Sequence, residues 1–244
     1  MNIKTTAFNQ IIKIQEGAII TGNKKAAIEK KTEAKYCRYC KRNNEQVVAT
    51  IPHIINVCWV NRKRHNKIHD TICLDIFNEL NKKYNLTPLT YTLENKPKYI
   101  ADKKMKIKLT FNIEFFNDNY KAKMARRPDV VLINEKDKEI LIIDVTIVTD
   151  SNVYTAYIEK MNKYSELSVQ FKRVYKLFKV TIIPVVISNG GLIHIDSTLK
   201  MKKYVSIDWT KSIKYVMIES MKSIMNYLCN FNETIENEME IEMN

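Results

Sequence analysis

Ten residues constrain the fold of this chain more than any others. Residues 139–148 read Glu-Ile-Leu-Ile-Ile-Asp-Val-Thr-Ile-Val, a β-branched run with a single acid in its middle. A run that is apolar on both alternating faces suits a strand covered on both sides. Residues 129–134 form a second short apolar run, and only Glu135-Lys136-Asp137-Lys138 separates the two. So short a polar link implies an antiparallel hairpin at the centre of a sheet. Residues 180–188 are another buried-strand candidate, ended by Asn189-Gly190-Gly191.

Around this centre the pattern predicts helices and one further strand. Ile68, Ile72, Ile76 and Leu80 place an apolar stripe on a helix over 65–84. Residues 85–104 are polar and irregular, with Pro88 and Pro97, whereas 106–116 alternate as a strand does. One helix is expected over 152–178, with Val153, Tyr157, Met161, Tyr164, Val169 and Phe171 on one face, and another over 209–231. From residue 69 the expected order is αβββαβ and then more helix, an α/β fold. Only 4 Gly and 5 Pro argue against a turn-rich all-β sandwich. Three regions are expected: 1–68, a basic linker and a metal-stapled module; 69–231, the α/β domain; and 232–244, an acidic tail that frays.

Charge points to the class of partner. Forty Lys and Arg against 27 Asp and Glu give +13. The tail holds five Glu and no base, so 40 bases against 22 acids leave +18 on residues 1–231. A body this basic suits a polyanion, above all nucleic acid. No segment approaches 18 uninterrupted apolar residues, so a membrane partner is not expected. The first fifteen residues lack the apolar run of a signal peptide. A reducing compartment is therefore expected, where cysteines serve as metal ligands or core thiols.

Cys37-x2-Cys40-x12-His53-x4-Cys58 supplies three thiols and one imidazole, the ligand set of a closed tetrahedral structural Zn²⁺ site. A variant reading takes His65 and His69 as the last two ligands. Cys73 and Cys229 lie in apolar helical contexts and read as core thiols. Arg38 and Arg42 within the module, and Arg62 and Arg64 after it, make a phosphate-binding surface.

The hairpin carries the chemistry. Asp129 opens its first strand and Asp144 lies inside the second, where an acid is costly unless it is paired or holds a cation. On neighbouring strands the two carboxylates make a hard-oxygen site for Mg²⁺ or Mn²⁺. Lys160 and Lys163, i,i+3 neighbours on the following helix, are candidates for the positive group near a substrate phosphate.

These motifs resemble the C-terminal region of the R-two-type, site-specific non-LTR retrotransposon polyproteins that carry a restriction-like endonuclease. The resemblance runs from about residue 11 to 213. It rests on the Cys37–Cys40–His53–Cys58 knuckle, Arg64-His65-Asn66, Arg127-Pro128-Asp129, Ile143-Asp144-Val145-Thr146, Glu159-Lys160 with Lys163-Tyr164, and the later Pro-Val-Val-Ile-Ser-Asn-Gly-Gly stretch. It implies a PD-(D/E)XK restriction-endonuclease-like core with a mixed sheet and an N-terminal CCHC zinc knuckle. Asp129 and Asp144 match the two motif acids. The usual lysine two residues after the second acid is replaced by Thr146, and the family's helix lysine matches Lys160, with Lys163 as second candidate. His65 and Arg127, inside these motifs, join the expected nucleic-acid contacts. The resemblance further implies nicking of target DNA so that the 3′ hydroxyl primes reverse transcription, element RNA as a second partner, a reverse transcriptase region in cis or in trans, and action in the nucleus. No polymerase Tyr-x-Asp-Asp motif stands in this chain. Other readings keep the same residues: a nucleic-acid-binding module without catalysis, a decayed fragment of such a polyprotein, and a resolvase-like enzyme acting on branched DNA.

Overall fold

The computed structural model describes residues 21–30, 35–41, 46–113, 115 and 127–242. In chain order its elements are α1 (Gly22–Glu29), α2 (Arg38–Lys41), a π-helical turn (His53–Val57), a 3-10 turn (Trp59–Asn61), α3 (Arg62–Lys83), β1 (Tyr99–Asp102), β2 (Ile107–Phe111), β3 (Val130–Asn134), β4 (Glu139–Val148), a 3-10 turn (Asp150–Asn152), α4 (Val153–Lys163), α5 (Ser165–Val174), β5 (Lys179–Ser188), α6 (Ile195–Lys202) and α7 (Trp209–Glu242). The described residues up to Ile68, together with 189–191 and those from Lys214 on, form one compact unit; residues 69–188 and 192–213 form the other. None of the described helices is long and apolar enough to cross a membrane.

The second unit is α/β. Its five strands lie in the order β1-β2-β3-β4-β5, antiparallel from β1 to β4 and parallel between β4 and β5. The β3–β4 hairpin closes over the expected four-residue link. Asn134 Nδ2 donates to Asp137 Oδ2 at 2.8 Å, Asp137 N donates to Asn134 Oδ1 at 3.0 Å, and Lys138 takes a left-handed φ of 52° to complete the turn. Register then pairs Val130 with Ile143 and Ile133 with Ile140.

Alternation sorts the side chains onto two faces. Val131, Ile133, Ile140 and Ile142 pack with Tyr164, Leu167 and Phe171, so the α4–α5 segment covers that face. Phe111 stands opposite Val130, on the other face, and its ring meets Phe77 of α3 edge-on at 5.8 Å. The sheet is thus sandwiched between helices, which explains why β4 is apolar on both faces. β5 is an edge strand, where Pro184 is tolerated, and the Pro184 carbonyl accepts a hydrogen bond from Ser197 Oγ of α6 at 2.7 Å.

Four features differ from the sequence reading. A fourth antiparallel strand, β1, lies within the stretch expected to be irregular; as a half-exposed edge strand it has no apolar period to betray it. β2 ends at Phe111, while residues 114 and 116 lie outside the described residues. The expected helix over 152–178 is two helices broken at Tyr164, which has φ −101° and ψ 4°. The acidic segment from residue 232, expected to fray, continues α7 to Glu242. Glutamate is a good helix former, and no Gly or Pro interrupts the segment.

Ile142 tests the two-sided burial of β4. It is fully buried between Val131 of β3 and Ile182 of β5. Ile142→Ala should cost about 2–5 kcal/mol in chemical denaturation, as deletions in filled cores do. A loss below about 1 kcal/mol would mean that this face of the sheet is not packed as described.

Candidate functional site

The first unit gathers the four ligands of the knuckle. A bridge between Tyr36 and Val48, with Cys37 N donating to Val47 O at 2.7 Å and Ala49 N to Lys35 O at 2.8 Å, folds the chain back on itself. The short helix α2 then carries Cys40 round to the side of Cys37. His53 and Cys58 bracket the π-helical turn, in which Cys58 N donates to His53 O at 2.8 Å. Cys37 Sγ lies 3.6 Å from Cys58 Sγ, and Cys40 Sγ lies 3.4 Å from His53 Nε2. One donor atom from each of the four lies within 4.8 Å of every other, and all four residues are buried. Bonds of 2.0–2.3 Å to a tetrahedral ion would set its ligands about 3.4–3.8 Å apart, so the cluster is close to closed geometry. The hydrogen bond from Cys58 holds the Cys37 thiol well below the usual thiol range, and the same bond, with burial, pushes Cys58 up. This is a buried Cys₃His cluster able to hold a metal such as zinc.

The variant ligand His69 lies elsewhere, against Asp129 in the second unit. Cys73 is buried, as expected of a core thiol, but its sulfur lies 3.8 Å from both ring nitrogens of His69. The side chain of Cys229 lies outside the described residues.

Register brings the two hairpin acids to neighbouring strand positions. Asn112 N donates to Asp129 O at 2.7 Å, which continues the β2–β3 pairing by one residue. Since Val130 pairs with Ile143, the next step sets Asp129 opposite Asp144. Directly opposed side chains in an antiparallel pair have Cβ atoms about 4.5–5.5 Å apart, and like charges there repel. Each acid has its own compensation. Asp144 is 3% exposed; Lys160 Nζ lies 2.5 Å from its Oδ2, Lys163 Nζ lies 3.6 Å from its Oδ1, and Tyr164 donates its hydroxyl hydrogen to Oδ1. Asp129 Oδ2 accepts from Val145 N at 2.7 Å and lies 3.3 Å from His69 Nε2. Burial opposes charge on His69, but the hydrogen bonds to Asp129 and Asp70 outweigh it and hold the imidazolium well above its ordinary range.

Local structure explains how two helix lysines reach a strand acid. Lys160 and Lys163 occupy the last turn of α4, which ends because Tyr164 turns its side chain into the sheet. Tyr164 is fully buried, and the Lys163 ammonium lies 4.6 Å from its ring centroid. Sequence reasoning assigned Tyr164 to an apolar stripe and gave His69 no place beside the acids. The one local signal for His69 is its i,i+4 spacing from Cys73.

The expected nucleic-acid contacts are placed unevenly. Arg62 is exposed. Arg64 is engaged with Glu219 at 2.9 Å, a carboxylate that also meets Lys222. Arg64 is thus a partner within its own unit as well as a cation. His65 is half-buried on α3, and Arg127 is exposed, its Nε donating to Asn112 O at 3.0 Å. Arg42 and the side chain of Arg38 lie outside the described residues.

Comparison with protein-family models gives no match, and comparison with curated proteins gives none either.

Two outcomes follow from these geometries. Cys37→Ser should lower the zinc content by about one ion per chain, in line with a four-ligand site, and should open the first unit to limited proteolysis because metal affinity there contributes folding energy. Unchanged zinc content would remove Cys37 from the ligand set. Tyr164→Phe deletes only the hydroxyl that meets Asp144. It should cost about 1.5–3 kcal/mol, the range for hydrogen bonds to charged groups, read as a shift in denaturation midpoint; no shift would mean that Asp144 does not depend on it.

Proposed function

We propose that this chain is a divalent-metal-dependent DNA endonuclease with a PD-(D/E)XK core, equivalent to the C-terminal region of an R-two-type non-LTR retrotransposon polyprotein. The observation that carries the reading is Asp144: a carboxylate buried in a central strand, opposite Asp129 in register, with Lys160 2.5 Å away from the next helix. A purely structural strand has no use for two opposed acids and two lysines at one point. The donor set also fits the ion this chemistry needs, since two carboxylates on adjacent strands are hard-oxygen ligands.

Asp129 and Asp144 would hold Mg²⁺ or Mn²⁺, which supplies polarisation of the scissile phosphodiester and acidification of an attacking water. The remaining roles belong to the chain itself. Val145 N fixes the Asp129 carboxylate, and the Tyr164 hydroxyl fixes that of Asp144. Lys160 takes the place left by Thr146 in the motif: held over the Asp144 side of the sheet, its ammonium would stabilise the charge that develops on a phosphate there. Lys163, farther from Asp144, contacts phosphate. With zinc in the Cys₃His cluster, the knuckle and its basic neighbours bind target DNA and element RNA. The nicked 3′ hydroxyl then primes a reverse transcriptase region acting in cis or in trans, in the nucleus.

Nicking of supercoiled plasmid DNA tests the reading. The parent should nick only with Mg²⁺ or Mn²⁺. Asp144→Asn should abolish nicking while DNA binding in a gel-shift assay stays nearly intact, because phosphate contacts by Lys and Arg dominate affinity. Lys160→Ala should slow single-turnover cleavage on the order of a hundredfold, the size of effect seen when one electrostatic donor is removed, and Lys163→Ala should do less. Equal nicking by the parent and Asp144→Asn would refute the site. DNA binding by a parent that never nicks would favour the binding module without catalysis.

A further inference from the structure

A second group of metal-type donors lies in the other unit, on helix α3 and at the start of β3. His69 and Cys73 are one helical turn apart, so both point from one face of α3. Asp129 meets them from the sheet. One donor atom from each of the three lies within 4.8 Å of the others. Cys73 Sγ is 3.8 Å from the His69 ring, and His69 Nε2 is 3.3 Å from Asp129 Oδ2. The sulfur is not in a disulfide.

The surroundings are those of a ligating histidine. Metal-bound imidazoles as a rule donate their second ring N–H to a carboxylate, which fixes the tautomer and the ring plane. His69 Nδ1 lies 3.1 Å from Asp70 Oδ1, and Asp70 is itself anchored by an ion pair with Lys96. That leaves Nε2 directed at Asp129. The Asp129 oxygen that faces His69, Oδ2, also accepts from the Val145 amide at 2.7 Å. The imidazole and the carboxylate are thus each held by a neighbour.

We propose that His69, Cys73 and Asp129 form a binding site for a thiophilic divalent transition ion of the zinc type, distinct from the Cys₃His cluster. Thiolate and imidazole select a borderline-soft ion over Mg²⁺ or Ca²⁺. Binding needs an unprotonated Nε2 and a Cys73 thiolate, so any proton carried by either leaves to solvent as the ion enters. Three protein ligands leave one coordination position for water or another donor, the pattern of open zinc sites. The site does not depend on the cleavage chemistry proposed above, although the two would share Asp129.

Cobalt reports on both clusters in the intact chain. Full-length protein produced in cobalt-supplemented medium, then equilibrated with Co²⁺ and desalted, should retain about two ions per chain, one for each thiolate site. Cys73→Ser and, separately, His69→Gln should each retain about one, with the thiolate-to-cobalt charge-transfer band of the Cys₃His cluster preserved and an unchanged far-ultraviolet circular dichroism spectrum. His69 is partly exposed, so its replacement guards against a folding defect in the buried cysteine variant. A parent that retains only one ion would overturn the proposal. So would a second ion retained by both variants, which would place it elsewhere.

Discussion

The carboxylate of Asp144 is the point on which the second unit turns. A charged side chain 3% exposed in the middle of a β-branched strand cannot be left alone, because the cost of an unpaired buried charge exceeds what its neighbours' apolar burial contributes. Its compensation arrives from one direction. α4 ends where Tyr164 enters the sheet, and the last turn of that helix brings Lys160 and Lys163 over the same acid. The break between α4 and α5, a buried tyrosine hydroxyl and two lysines thus all meet at a single residue. Opposite it, Asp129 raises the local negative charge, and His69 lowers it. The balance is local, and in the proposed nuclease a phosphate or a cation entering there would displace part of it.

The first unit depends on its Cys₃His cluster in a more elementary way. Of the eight buried residues in its apolar cluster, three are the knuckle cysteines. Without an ion those thiols are only small, weakly polar groups in the core. With one, they become the covalent centre on which Ile54, Ile55, Ile224 and Tyr227 pack. Polar bonds complete the arrangement: Asn61 Nδ2 donates to Ile54 O at 3.0 Å and to Ser223 O at 2.9 Å, and so ties the turn that carries His53 to α7.

Features with a local cause were legible in the sequence, and those with a distant cause were not. The β3–β4 hairpin, β5, the start of α7 and the grouping of Cys37, Cys40, His53 and Cys58 each follow from apolar period or ligand spacing within a short window. The approach of Lys160 to Asp144 was legible because Thr146 leaves the strand without a cation. β1 was not, because Tyr99-Ile100-Ala101-Asp102, on a half-exposed edge, has no polar–apolar period in its sequence. The end of α4 at Tyr164 has no Gly or Pro to mark it, since its cause is a hydroxyl bonded to an acid twenty residues earlier. His69 meets Asp129 across 60 positions of sequence, a contact that no local pattern contains. Arg64 reads as a phosphate ligand until the fold sets Glu219 beside it.

The central claim is that Asp129 and Asp144 act as a pair on one divalent ion. A crystal of the protein soaked in Mn²⁺ and measured by anomalous diffraction tests it most directly. The account predicts a manganese peak bonded to one carboxylate oxygen from each acid, with Lys160 moved off Asp144 and still on the same side of the sheet. A crystal in which manganese avoids both acids, and in which Lys160 keeps its ion pair with Asp144 unchanged, would contradict it.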